Sequence, residues 1–163
     1  MYDYRPPRKN CYAQLMILWL FLAAAGCFIA SSFLPDFPFI LQSVGLLLLV
    51  PAIQLIARYC ATRYLYRIAT YEDGNVDLDV YAYRGGDKMQ LVCRIGLEEI
   101  TATAALTKDN RRPPRGVRRY GYAPDLFPRE ALVLSITNAD GDCEVLLCPD
   151  EHIASILTAQ KQQ

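Results

Sequence analysis

The chain has 163 residues, 53% of them hydrophobic, and its 17 basic and 17 acidic residues give a formal net charge of zero. These averages conceal an apolar third and a polar remainder of roughly 100 residues, which is enough for one small domain with its own core. The six cysteines are spread along the chain, in or beside apolar segments. This distribution argues against a disulfide framework and favours free, mostly buried thiols in a reducing compartment.

Two apolar segments without charged residues, 13–33 and 37–57, make up the apolar third, and each is 21 residues long. Since a helix rises about 1.5 Å per residue, each would reach roughly 31 Å and cross the core of a bilayer. The connection between them has only three residues, 34–36. The sequence therefore predicts that residues 13–57 form an antiparallel two-helix hairpin that crosses a membrane twice.

Basic residues flank the predicted hairpin, whereas its connection contains only an acidic residue, Asp36. The flanking basic residues are Arg5, Arg8 and Lys9 before the first span and Arg58, Arg63 and Arg67 after the second. The positive-inside rule then predicts a multi-pass protein of the cell membrane with both termini in the cytoplasm. Residues 1–12 are expected to form a cytoplasmic N-terminal tail.

The first span also resembles a signal peptide, because a basic start precedes the apolar run 15–22. The small residues before Cys27 resemble a lipoprotein cleavage site. However, Ala24 stands where such sites usually carry Leu, and the residues beyond Cys27 stay apolar. An uncleaved anchor is the favoured interpretation.

The polar remainder of the chain predicts several strands followed by one helix. Residues 64–71 are rich in aromatic and β-branched side chains, and residues 76–80 alternate strictly between apolar and acidic ones. Turn residues separate the segments, including a hairpin turn at 138–142. The predicted strands are 64–71, 76–80, 89–95, 97–106, 131–137 and 143–147.

The predicted C-terminal helix begins at residues 149–151, where a proline and two acidic side chains suit the positive end of the helix dipole. Its apolar stripe, Ile153, Ile156 and Leu157, should pack on the sheet or close the end of a barrel. The core of the domain is predicted to include Leu78, Val80, Leu91, Leu134, Ile136, Val145, Leu147, Ile153 and Leu157.

Three stretches resemble the bacterial pleckstrin-homology-like (PH-like) membrane proteins, in which two membrane helices precede a β-rich domain with a closing helix. They are the turn and alternating strand at 71–80, the sequence Ile-Gly-Leu-Glu-Glu-Ile at 95–100, and the last hairpin and helix at 140–157. The resemblance implies a strongly bent antiparallel sheet, or a partly open barrel, over residues 64–163, capped by the C-terminal helix. It also implies a role in binding or scaffolding, and it carries over no catalytic residue and no ligand.

Motifs for catalysis or cofactor binding are absent from the sequence: there is no P-loop, no nucleophile elbow and no dinucleotide fingerprint. His152, Cys93, Cys143 and Cys148 would supply four ligands for zinc. However, Cys143 and Cys148 are an odd number of positions apart, which predicts opposite faces of a sheet. Buried free thiols are favoured, and no cofactor and no metal site is predicted.

Two weaker patterns would supply catalytic groups. Asp77 and Asp79 share one face of a predicted strand, but alternation alone explains them as the solvated face. Cys148 and His152 would form a nucleophile pair without an orienting third group. No catalytic residue is predicted, and the chain is expected not to be an enzyme.

The basic segment, residues 108–119, has a net charge of +5 in 12 residues, and two prolines and a glycine keep it out of regular structure. Near an anionic leaflet each basic side chain would contribute about 1 kcal/mol of attraction, which favours anionic lipid headgroups as partners. The candidate binding residues are Lys108, Arg111, Arg112, Arg115, Arg118 and Arg119.

Other interpretations of the basic segment are a protein partner and a solvated loop without a ligand. Nucleic acid is disfavoured, because the rest of the domain is net acidic. The sequence thus favours a membrane-anchored, non-enzymatic binding or scaffolding module, either alone or as a homo-oligomer. The alternatives are a regulatory subunit that acts on a membrane complex through its helices and a membrane-bound hydrolase or zinc enzyme.

Overall fold

A computed structural model describes residues 2–34, 37–71, 74–86, 88–138 and 141–159, with the side chain of Asn138 excepted. The chain forms two compact units. The helical unit is Asn10–Thr62, and the β domain combines the residues up to Lys9 with those from Arg63 onward. The predicted connection at 34–36 and the predicted hairpin turn at 138–142 lie partly outside the described residues.

The helical unit contains α1, Tyr12–Phe33, and α2, Pro38–Leu55, which continues as a π-helical turn over Ile56–Ala61. The two continuous helical stretches have mean hydropathies of 2.1 and 2.2, and only 17% and 11% of the residues in their most apolar parts are buried. A core helix of a soluble protein would be mostly buried. The prediction of two helices long and apolar enough to cross a membrane is confirmed.

The two helices approach each other closely at small residues. A Cβ atom added at Gly45 would lie 3.0 Å from Cε2 of Phe28 and 3.3 Å from the carbonyl oxygen of Ala24. Ala24 and, on α2, Ala52 are buried as well. Small side chains allow two helix backbones to pack at short range in the absence of large interlocking residues.

In its described residues the β domain contains two four-stranded sheets and one helix. Across the first sheet the strands are β1 (Tyr2–Tyr4), β2 (Thr62–Thr70), β3 (Val76–Arg84) and β4 (Met89–Gly96). Across the second they are β5 (Ile100–Ala105), β7 (Leu132–Asn138), β8 (Gly141–Leu147) and β6 (Arg118–Gly121). A 3-10 turn, Leu97–Glu99, connects the sheets, and α3, Glu151–Ala159, follows β8. All six predicted strands and the predicted helix are present.

Residues 2–4 form an edge strand, which corrects the expectation that residues 1–12 are a tail. β1 pairs antiparallel with β2, with Tyr4 opposite Tyr66. Within this pair the guanidinium of Arg67 donates two hydrogen bonds, 2.7 and 2.8 Å long, to the Asp3 carboxylate. Because the whole helical hairpin separates the two strands in sequence, no local pattern marks this pairing.

One hydrophobic core is shared by both sheets and α3, and eight of the nine predicted core residues lie in it. The exception is Leu91, which is 40% exposed. Val80 lies opposite Cys93 and Tyr81 opposite Leu91, so Val92 is an extra residue in β4. This β-bulge shifts the register by one position and turns Leu91 to the outer face of the sheet.

Tyr66 is a fully buried aromatic residue of this core. Its hydroxyl donates a 2.8 Å hydrogen bond to the carbonyl oxygen of Tyr122 and accepts one of 3.3 Å from the N–H of Cys148. Burial raises the pKa of Tyr66, so the hydroxyl stays protonated at neutral pH. The Tyr66 side chain thereby connects β2 to the residues that directly follow β6 and β8.

Asp79 is fully buried, which corrects its assignment to a solvated strand face. Its carboxylate accepts hydrogen bonds of 2.7 Å from the Arg94 Nε–H and 2.7 Å from the Tyr71 hydroxyl, and these side chains cover it. Burial acts to raise the pKa of Asp79, but the hydrogen bonds from Arg94 and Tyr71 outweigh it and hold that pKa below its ordinary value. The buried carboxylate is therefore a satisfied structural group.

Candidate lipid-binding or partner-binding site

The basic segment follows β5 and begins with a turn closed by Asn110. The Asn110 side chain accepts a 2.7 Å hydrogen bond from the N–H of Thr107 and donates one of 2.8 Å to the carbonyl oxygen of Ala105. A second turn contains Gly116, whose φ of +87° is readily adopted only by glycine. As predicted, the segment has no regular structure up to residue 117, although local hydrogen bonds define its path.

The last two residues of the basic segment belong to β6, where an irregular loop was predicted. β6 pairs in parallel with β8, and Arg119 lies opposite Glu144. A parallel partner cannot be reached through a tight turn, so the two strands are far apart in sequence and no hairpin signal connects them. The basic segment is therefore anchored to a sheet at its C-terminal end.

Arg119 provides a second anchor through its side chain. Its guanidinium lies 2.6 Å from Oε2 of Glu144, and only 11% of either side chain is exposed. The same guanidinium donates hydrogen bonds of 2.8 Å to the carbonyl oxygens of Arg111 and Asn110. Of the six candidate binding residues, Arg119 thus faces inward, where it holds the segment in place.

The other five candidate residues are exposed on the surface of the β domain. The guanidinium of Arg111 lies over the ring of Phe127, 5.2 Å from its centroid. Phe127 and Tyr120 are themselves more than 40% exposed. The exposed cations are Lys108, Arg111, Arg112, Arg115 and Arg118. Cations beside exposed aromatic rings match the chemistry of a lipid headgroup region, where aromatic side chains also partition.

The residues considered for zinc or for nucleophilic catalysis lie in other surroundings. The ring of His152 packs edge-on against Tyr2, with centroids 4.6 Å apart. Burial raises the pKa of Cys148 to about 11 and also raises that of Cys93, so both thiols are protonated and poorly nucleophilic at neutral pH. Within the described part of the chain, no group of three or more His, Cys, Asp or Glu residues is placed to hold a metal ion.

No protein-family model matches this chain, and no curated protein and no solved structure matches it either. Its function is accordingly inferred from the chemistry and placement of its own residues.

Proposed function

We propose that the chain is a membrane-anchored, non-enzymatic binding module whose PH-like β domain faces the cytoplasm and contacts anionic lipid headgroups. The observation that carries this proposal is the group of five exposed cations in a segment that Arg119 and Glu144 hold against the β domain. The segment is both strongly basic and fixed in place, which suits a charged surface better than a single small ligand.

Membrane anchoring is supported by the pairing of β1 with β2. These strands flank the helical hairpin in sequence yet belong to one sheet, so they lie on the same side of any membrane. Two crossings satisfy that requirement, and one crossing does not. Cleavage within the first span would remove β1 together with the ion pair between Asp3 and Arg67, which favours an uncleaved anchor.

The cytoplasmic placement is supported by the basic residues on both flanks of the hairpin. They are Arg5, Arg8, Lys9, Arg58, Arg63 and Arg67. The described cysteines are free, which suits a reducing compartment.

The PH-like assignment is supported by two sheets that share one core and by α3, whose Ile153 and Leu157 are buried in that core. The domain differs in one respect from the predicted domain, which was continuous over residues 64–163. Its first strand, β1, precedes the helical hairpin in sequence.

The lipid contact can be tested with the full chain in nanodiscs of neutral phosphatidylcholine or of phosphatidylcholine mixed with phosphatidylglycerol. Amide hydrogen exchange across 108–119 should be slower on the anionic discs. The difference should vanish at high salt, since the screening length falls from about 8 Å at physiological ionic strength to about 3 Å at 1 M.

A variant with glutamine at residues 108, 111, 112, 115 and 118 should exchange equally fast on both kinds of disc. A control variant, Arg84→Gln with Lys88→Gln, removes two positive charges elsewhere and should behave like the wild type. Equal exchange of the wild type on neutral and anionic discs would contradict the lipid contact and leave a protein partner or an unliganded loop.

A further inference from the structure

Among the described strands, β4 stands at one edge of the first sheet, and it exposes apolar side chains near its beginning. Met89 and Val92 are 42% and 38% exposed, and Leu91, between them in sequence, is exposed as well. Edge strands in water commonly carry charged residues or prolines instead, which prevent pairing with other chains. Neighbouring exposed apolar side chains mark a surface that a protein or a membrane covers. These three residues are called the β4 patch.

Two tyrosines of β3 extend the β4 patch. Tyr81 lies opposite Leu91, and Tyr83 lies opposite Met89. Residues opposite each other on antiparallel strands have their side chains on the same face of the sheet. The guanidinium of Arg67 lies 5.2 Å from the centroid of the Tyr81 ring. Apolar side chains thus adjoin aromatic and basic ones, a combination typical of protein surfaces that lie in the interfacial region of a membrane.

The connections between the strands place the β4 patch near one end of the sheet. β2 and β3 have nine residues each, and the chain reverses between them where the Tyr71 N–H donates a 2.9 Å hydrogen bond to the carbonyl oxygen of Asn75. The end of β3 therefore lies beside the beginning of β2, and Tyr83 lines the same cleft as Arg63. Met89, opposite Tyr83, is two strand spacings from β2, or roughly 10 Å.

The same end of the sheet is where the chain continues from the second helical stretch. β2 begins at Thr62, directly after Ala61, the last residue of that stretch. Consecutive Cα atoms are about 3.8 Å apart, so β2 begins where the span ends. Under the proposed membrane insertion, on which this step rests, that position is at the membrane surface.

We propose that the β4 patch inserts into the interfacial region of the bilayer. Its three apolar side chains contact the acyl chains, and the rings of Tyr81 and Tyr83 lie at the level of the headgroups. Tyrosine is enriched at that level because its ring is apolar and its hydroxyl is polar. Insertion removes exposed apolar surface from water, which is favourable roughly in proportion to the area removed. The contact orients the β domain on a membrane to which the two spans anchor it.

This contact differs in its physical basis from the one proposed for the basic segment. Negative charge on the leaflet attracts the basic segment, and salt screens that attraction. Apolar insertion requires no charge on the lipid and is not screened by salt. The contact of the β4 patch should therefore form on neutral lipid and persist at high salt.

Tryptophan fluorescence of the full chain in nanodiscs of neutral phosphatidylcholine tests the contact. The one natural tryptophan, Trp19, lies in α1 and is removed by Trp19→Phe, so that Met89→Trp supplies the only signal. Its emission should shift to shorter wavelengths, and acyl chains with bromine atoms near the headgroup should quench it at low and at high salt. Leu91→Trp is a second probe at an exposed position and should give the same result.

Thr70→Trp in the same background is the matched control, because Thr70 is an exposed residue at the opposite end of β2. Brominated lipid should not quench this probe. If Met89→Trp and Leu91→Trp are quenched no more than the control, the contact of the β4 patch does not exist. A shift to shorter wavelengths without quenching by lipid would also overturn the proposal, because it would indicate that protein covers the patch. An unchanged β-sheet circular dichroism signal shows that a probe leaves the fold intact.

Trp19 of the otherwise unchanged chain separates this proposal from the proposed membrane insertion. Its side chain is 69% exposed on α1, and brominated acyl chains should quench it if the helices cross the bilayer. Quenching of Trp19 but not of Met89→Trp would leave the membrane anchor standing and remove the contact of the β4 patch. A lack of quenching at both positions would contradict both proposals.

The basic segment is separated from the β4 patch in the same assay. Met89→Trp combined with glutamine at residues 108, 111, 112, 115 and 118 should be quenched as strongly as Met89→Trp alone. Loss of quenching in this combined variant would overturn an independent contact of the β4 patch, because it would show that the basic segment holds the β domain at the membrane.

Discussion

The helical unit and the β domain place large apolar side chains in opposite environments. In the helical unit Leu47 and Phe39 are 69% and 79% exposed, whereas Tyr66 and Leu134 of the β domain are fully buried. In water the hydrophobic effect stabilises the buried arrangement of the β domain, whereas the exposed apolar side chains of the helical unit suit the membrane proposed for it. Under the proposed membrane insertion the two units lie in different solvents, and equivalent substitutions in them should have very different effects.

The largest difference is expected between two leucine truncations. Leu134→Ala removes a fully buried side chain from the shared core and should lower the free energy of unfolding of the β domain by about 2–5 kcal/mol. Leu47→Ala removes an exposed side chain from α2 and should leave that free energy unchanged. Urea unfolding of the full chain in micelles, followed by the β-sheet circular dichroism signal, measures both. Equal losses would show that the two units do not differ in this way.

A second pair of variants compares the inward-facing and outward-facing residues of the basic segment. Arg119→Gln leaves Glu144 buried without its cation and should destabilise the β domain by about 3 kcal/mol. Its neighbour Arg118 is exposed, and Arg118→Gln should change stability by less than about 0.5 kcal/mol. The same urea unfolding measures both variants. Similarly small losses of stability for both variants would mean that Arg119 does not hold the basic segment in place.

The acid sensitivity of the β domain should depend on Asp79. The pKa of Asp79 is lower in the folded state than in the unfolded chain, so the unfolded state takes up the proton first as the pH falls. The stabilisation from Asp79 is therefore complete above the unfolded pKa of about 3.9 and is lost as the pH falls through the folded pKa. Melting temperatures between pH 6 and pH 2 should fall less steeply for Asp79→Asn than for the wild type. An identical slope would assign the acid sensitivity to other carboxyls.

The smallest expected effect concerns the edge of the first sheet. Asp3 is 41% exposed in its ion pair with Arg67, so solvent screens the attraction, and Asp3→Asn should cost less than about 1 kcal/mol. A double-mutant cycle with Arg67→Gln isolates the pair energy from other effects. A coupling energy of zero would indicate that the ion pair does not contribute to holding β1 against β2.

Local sequence patterns predicted the parts of the fold that depend on neighbours in sequence. The length of the two uncharged apolar segments predicted α1 and α2, and the alternation of apolar and acidic residues predicted β3. Acidic residues followed by an apolar stripe predicted α3. Alternation also placed Asp79 correctly on the face opposite Leu78 and Val80. It failed to predict burial on that face, because the covering side chains of Tyr71 and Arg94 come from two other parts of the chain.

The features that were missed depend on contacts between distant parts of the chain. β1 and β6 are too short to have a pattern of their own, and each pairs with a strand far away in sequence. The bulge that turns Leu91 outward lies between strands whose alternation gives no sign of an inserted residue. At the candidate site, composition identified all six basic residues, but the position of Glu144 opposite Arg119 decided which one faces inward.

The pairing of β1 with β2 has a consequence for the order of events during synthesis. β1 is translated first, but its partner β2 is translated only after both apolar helices. Some 60 residues separate Tyr4 from Tyr66, so at roughly 5–20 residues per second the N-terminal strand waits on the order of 3–12 s for its partner. If only one helix inserted, the two strands would be left on opposite sides of the bilayer and the sheet would lack its edge. Under the proposed membrane insertion, the first sheet can therefore be completed only after both helices have crossed.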